Sequence, residues 1–321
     1  MIRSALRTDI DRTVDLGVQQ MHRLESHRNP FYATGPGLAD YLRAAYSGLI
    51  ETADAVALVE ESPKGLEGFL LGKLVNAPPV YDPGGRVCLI DHFWVEGSAS
   101  WPTVGVGLVG AANTRIRELE GVLSRIECQW KDEGRRMFLS SNGFTVASDW
   151  YCRDTHLKAP KSPLDGKIGV ALIEEVPQIV QLCEKSRRRL QDFSPVFWRK
   201  AQDSAERQIE FLRYLVESKA QEVLVHRSGS ILDGIIVGDR RGSSLPYELR
   251  GPCCYTDDFA LAESDHWATI GQWLLFRLLH EKMIEGVSYS QVICPRGDSA
   301  KSRMLREAGY VLGHEWFVRS V

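Results

Sequence analysis

Moved along itself by 166 residues (257 minus 91), the chain meets its own pattern. Asp91 falls on Asp257, Phe93 on Phe259, Trp101 on Trp267, Thr103 on Thr269 and Gly105 on Gly271. Upstream, Ile2 meets Ile168, Leu24 meets Leu190, Gly68 meets Gly234 and Gly72 meets Gly238. Downstream, Cys128 meets Cys294, Asp132 meets Asp298, Gly143 meets Gly309 and Trp150 meets Trp316. A single register over nearly half the chain means a duplicated domain, because the period is far longer than a solenoid unit. The segment LKAPKSPLDGK, 157–167, is rich in Pro, Lys and Gly and reads as the linker. The expected domains are therefore 1–156 and 168–321.

A chain of 321 residues with 44% hydrophobic content can bury two cores. Its net charge of −3 argues against a nucleic-acid surface. Arg187-Arg188-Arg189, the densest basic run, reads as a solvated helix face. No apolar leader and no membrane-length segment stand out. Seven cysteines, mostly inside apolar runs, suit buried thiols in a reducing cytoplasm. The histidines lack metal-ligand spacing, so no metal site is expected. The expected location is the cytoplasm.

Each copy gives the same order of elements: a short strand, a helical region, a hairpin, a central strand, a glycine loop opening a helix, a strand, a short helix ending at Gly143 or Gly309, and a last strand. Mixed strands flanked by helices predict an α/β layer fold (mixed α+β). The loop-to-helix step at Trp101–Gly107 is a place where backbone N–H groups can hold an anion.

Three features resemble the GCN5-related N-acetyltransferase (GNAT) family. Ile90-Asp91-His92-Phe93-Trp94-Val95 is close to its I-[DE]-x-[LF]-x-V strand. Pro102-Thr103-Val104-Gly105-Val106-Gly107 fits its [QR]-x-x-G-x-[GA] loop, with Pro102 in place of Gln or Arg. Gly143-Phe144 and Gly309-Tyr310 match its closing GF. The resemblance covers both halves and implies two tandem GNAT-like domains, each a mixed, mostly antiparallel sheet with a central splay flanked by helices. It further implies acetyl-CoA as cosubstrate. The pyrophosphate would lie on the loop Pro102, Thr103, Val104, Gly105, Val106 and Gly107, whose N–H groups after Pro102 can donate, and the acyl carbonyl near Trp94 and Val95. The tyrosine that often protonates the leaving thiolate is replaced by Leu139 and Leu305, and the asparagine that opens the short helix by Asp132 and Asp298.

Trp273 stands where Gly107 stands in the first copy. If its ring points at the phosphate site, the second copy cannot hold coenzyme A; if it points to the core, the site survives. The favoured expectation is a cofactor-binding first domain and a degenerate second domain that supports it.

Acyl transfer to an amine needs a base. The candidates are Asp91, His92 and Glu96, on or just beyond the central strand, and Glu127 on the next strand. His92 titrates nearest neutrality. Asp91 recurs as Asp257 and so reads first as structural and second as a base, and Glu127 reads equally as an exposed strand carboxylate. Asp257 and Asp258 should face opposite ways. Trp101 and Trp267 read as core anchors, and Phe31, Tyr32, Tyr41 and Tyr46 as helix packing or acceptor-site lining. The expected activity is an acyl-CoA-dependent N-acyltransferase acting on a small-molecule or peptide amine. The alternative is a non-catalytic acyl-CoA-binding scaffold of two decayed domains. The expected assembly is a monomer with its domains paired as a pseudo-dimer, or a homodimer, without nucleic-acid or membrane partners.

Overall fold

The computed structural model describes residues 1–26, 34–97, 100–155, 158–161, 163–241 and 251–321, and of Asp257 the backbone alone. Phe31 and Tyr32 lie outside the described residues. The first repeat runs β1 (Ile2–Ser4), α1 (Ile10–Ser26), α2 (Leu38–Ile50), β2 (Ala55–Ser62), β3 (Gly65–Val75), β4 (Arg86–Val95), α3 (Val106–Glu118), β5 (Gly121–Gln129), α4 (Glu133–Ser141) and β6 (Thr145–Asp154). The second runs β7 (Lys167–Val170), α5 (Val176–Phe193), α6 (Ser204–Ser218), β8 (Glu222–Ser228), β9 (Ile231–Arg241), β10 (Cys253–Leu261), α7 (Ile270–Ile284), β11 (Tyr289–Pro295), α8 (Ser299–Glu307) and β12 (Val311–Ser320). The offset of 166 carries β3 onto β9, α4 onto α8 and β6 onto β12, residue for residue.

The short helices show why the repeat persists. Asp132 and Asp298 cap them, their carboxylates accepting from the amides of Arg135 at 3.4 Å and Lys301 at 3.0 Å. Just beyond their ends, Gly143 and Gly309 take φ of 78° and 82°, a left-handed geometry that suits glycine. The aspartates in the family's asparagine position are thus N-caps.

The strands form one sheet of order β1-β2-β3-β4-β5-β12-β6-β11-β10-β9-β8-β7. The two last strands have changed places. β12 lies against β5 of the first repeat, with Trp316 opposite Glu127, and β6 lies against β11 of the second, with Trp150 opposite Ile293. β6 and β12 pair antiparallel at the centre. Glu315 on β12 is fully buried and held by Arg136 of α4 and by Arg296.

The helices cover both faces of the sheet. On β9, Ile235 and Val237 pack with α5 and α6, whereas Ile236 packs with α7 and α8. In the second repeat these are two separate apolar clusters. In the first, a single cluster runs from Leu42 and Tyr46 on α2 through Trp94 to Trp101, Leu108 on α3 and Phe138 on α4.

Candidate active site

β4 and β5 pair in parallel from Arg86 to Ile90 and then separate; β10 and β11 do so from Cys253 to Thr256. Each repeat therefore has a splay. Just before it, one extra residue enters the central strand. Leu71 and Gly72 oppose His92 and Ile90, and Ile236 and Gly238 oppose Phe259 and Thr256. The bulges turn the strand ends out of the ladder and re-aim their side chains.

In the first repeat the splay is filled. Trp94 is 6% exposed, and the Arg23 guanidinium lies 4.5 Å over its ring. Phe93, Trp101 and Phe138 stack beside it with ring centroids 5.0 to 5.9 Å apart. His92 packs edge-on against Tyr46 at 4.8 Å, and burial pushes its pKa down to about 4. It is a neutral core imidazole at pH 7. Asp91 accepts from Arg125 at 2.7 Å. Glu96 is exposed, 3.5 Å from Arg12. Glu127 lies 3.7 Å from both Arg125 and His314, and burial pushes it up to about 7.

The six loop residues carry the chain into α3 in one wide turn, and the Val106 N–H already donates to the carbonyls of Trp101 and Thr103. Pro102 and Thr103 are exposed, while Val95, Val104 and Gly105 are buried. Gly105 makes room for Trp101 and Phe138. At Gly107 a Cβ would meet Ile2 Cδ1 at 2.6 Å. The glycine is there for packing against β1. In the second repeat Trp273 stands at the same register and packs against Phe276 of its own helix, ring centroids 5.7 Å apart.

The second repeat is open. A cavity of about 630 Å³ passes through its splay, lined by Asp258, Phe259, Ala260, Trp267, Ile293 and Lys301. The offset accounts for the difference. Met21, Leu42, His92 and Trp94 of the first repeat correspond to Arg187, Gln208, Asp258 and Ala260. Gln208 on α6 donates to Asp258 at 3.1 Å, and Arg187 on α5 stands 3.7 Å from the same oxygen. Arg187 is 2% exposed and also donates to Glu184 at 3.1 Å. It is a buried site residue, contrary to the solvated-face reading, which holds only for the exposed Arg188. Asp258 escapes a sequence reading fixed on the first copy; the signal for it was a polar set standing opposite an apolar one in the repeat alignment.

The first repeat roofs this cavity. The connection between β3 and β4 crosses over, with the Asp82 N–H bonded to the Arg199 carbonyl at 2.8 Å and the Ala201 N–H to the Val80 carbonyl at 3.1 Å. The Tyr81 ring rests 5.0 Å from that of Trp198. On the other side of the splay α7 begins abruptly at Ile270. The Trp273 N–H is the first to find a carbonyl on the helical side, that of Thr269 at 3.1 Å. Ile270, Gly271 and Gln272 form the first turn of α7, where N–H groups have no partner further back in the helix and can meet an anion, and Thr269 gives no side-chain cap.

No protein-family model and no curated protein sequence matches the chain. Solved structures do. A GCN5-related N-acetyltransferase from Sphaerobacter thermophilus is 11% identical, with a TM-score of 0.63 over 100% of this chain and 95% of its own. A tandem GNAT protein from the clavulanic acid biosynthesis pathway, solved without AcCoA, is 12% identical, with a TM-score of 0.53 over 100% of this chain and 98% of its own. A glucosamine N-acetyltransferase region of a fungal multi-domain β-N-acetylglucosaminidase is 12% identical, with a TM-score of 0.58 over 99% of this chain and 38% of that one. The chain has the GNAT fold, in tandem. No helix among the described residues is long and apolar enough to cross a membrane.

Proposed function

We propose that this chain is an acyl-CoA-dependent N-acyltransferase, moving an acetyl group from acetyl-CoA to an amine, and that the reaction takes place in the second repeat. The observation that carries this reading is the open channel through the second splay beside a filled first one. The first-turn amides of Ile270, Gly271 and Gln272 are suited to the pyrophosphate, and the parted strands β10 and β11 to the thioester arm. Asp258 faces the acceptor side and is our choice for the base that takes the proton of the amine. Tyr81, Trp198, Tyr255 and Trp316 make the acceptor wall aromatic, which favours an amine on an apolar, planar scaffold. The scaffold alternative suits the first repeat, whose role is to roof the site and complete the sheet.

Titration calorimetry with acetyl-CoA tests this, followed by thiol release with a panel of amines. We expect one site per chain, lost in Ala260→Trp and kept in Trp94→Ala. Two sites, or one that survives Ala260→Trp, would return the cofactor to the first repeat.

A further inference from the structure

Among the described cations that line the cavity, Arg189 and Lys301 have no ion-pair partner, and Arg189 donates instead to the backbone carbonyls of Leu261 and Ala262. Arg125 is held by Asp91 at 2.7 Å, Arg187 by Glu184 at 3.1 Å and Arg207 by Asp203 at 2.7 Å. Lys301, in the first turn of α8, makes no side-chain hydrogen bond or ion pair with any described residue, although it is only 5% exposed. It lines the cavity, its ammonium 5.1 Å from the ring of Phe259 and 5.3 Å from that of Trp267. Two aromatic faces offset only part of the cost of taking an ammonium out of water. Burial accordingly holds this lysine below its usual range. The groups that face it are Asp258 on β10, Cys294 on β11 and Asp298 at the cap of its own helix. The first repeat keeps a cation at the same register: Arg135 is 4% exposed, 5.7 Å over Phe93, with Nε and Nη2 unpaired.

A buried, unpaired cation aimed into a cavity marks where a ligand brings negative charge. In acyl transfer from a thioester that charge develops on the departing sulfur. Resting on the function proposed above, we infer that Lys301 is the proton donor to the leaving thiolate of coenzyme A. Lys301 lies on the α7–α8 side of the splay with Phe259, and Asp258 lies against α5 and α6 on the other side. A thioester threaded between the strands has a carboxylate on its acceptor side and an ammonium on its cofactor side. The amine nitrogen attacks the carbonyl carbon and the C–N bond forms. The C–S bond breaks, the sulfur keeps the electron pair, and it takes a proton from Lys301 Nζ. Asp258 takes the proton of the amine, and solvent returns it to Lys301. An alkyl thiol loses its proton near pH 8.5 and an unperturbed lysine near 10.4, so a lowered lysine is the better-matched donor. Leu305, where the resemblance places a tyrosine, is one turn further along the same helix face.

The test needs no acceptor. The protein is saturated with coenzyme A, binding is verified by calorimetry, and thiolate absorbance is followed against pH with the S-methyl-coenzyme A complex as blank. We expect the bound thiol to ionise one to three pH units below free coenzyme A, on the order of a nearby opposite charge. Lys301→Met should return it to the free value or above, and Lys301→Arg should keep the shift. A bound thiol that titrates alike in wild type and Lys301→Met overturns the inference and leaves the proposed function standing. Coenzyme A that does not bind the wild type overturns both.

Discussion

Trp94 and Ala260 hold the same position in the two repeats, and the indole fills the space that the methyl leaves open. Both side chains face the helical layer formed by the first two helices of their repeat. Exchanging them should exchange the openings. Ala260→Trp should abolish acetyl-CoA turnover while costing about 1–3 kcal/mol of stability through overpacking. Trp94→Ala should cost about 3–5 kcal/mol and leave turnover intact. Denaturant midpoints and initial rates on the pair decide this.

Asp258→Asn keeps the hydrogen-bonding partners Gln208 and Arg187 within reach but removes the base. The expected result is a fall in kcat of about 10²–10⁴ with the acetyl-CoA KM little changed. A parallel loss of kcat and acetyl-CoA affinity would assign Asp258 to packing.

Glu127 should make stability depend on pH. Burial pushes its folded carboxyl up to about 7, from an ordinary value of 4.5. Between these values the folded state holds a proton that the unfolded chain has released. Stability therefore falls as pH rises through the window, by at most about 3 kcal/mol. Buried His92 and His314, pushed down to about 4 and about 3, act in the opposite sense, costing stability as pH drops below 6.5. Glu127→Gln should be more stable than wild type at pH 8 and equal to it near pH 4.5, as read from denaturant midpoints at the two values.

Glu315 ties the repeats together from inside the sheet, between Arg136 and Arg296. Glu315→Ala leaves two guanidinium groups facing an empty position. The expected cost is about 3–5 kcal/mol by chemical denaturation.

The fragment 1–156 lacks the strand that belongs beside β5, and its own β6 lacks β11. Expressed alone it should aggregate through the open edge of β5. Co-expression with 168–321 should give a soluble complex, measured by size-exclusion chromatography.

Much of this architecture is legible in the sequence because glycines, caps and apolar positions recur in one register. Gly143 and Gly309 end their helices as that register predicts. The exchange of β6 and β12 is not legible. The two strands are copies of one another, and side-chain alternation says which face a residue takes but not which neighbour it has. The contrast between Gly107 and Trp273 is less informative than it looks in the sequence, because Gly107 is packed against Ile2 of β1. The informative positions were those in the walls, where Arg187 and Gln208 stand against Met21 and Leu42. A comparison by chemistry at those positions points to the site proposed above.

The exchanged strands also order events during synthesis. β5 is complete by residue 129, but the strand that covers it begins at Val311. The first half emerges with a bare sheet edge and keeps it until β12 has been made. Its closure is a long-range step, and such contacts form slowly. The half made first is thus finished only by the strand Val311–Ser320, and a chain cut before that strand leaves β5 and β6 both without it.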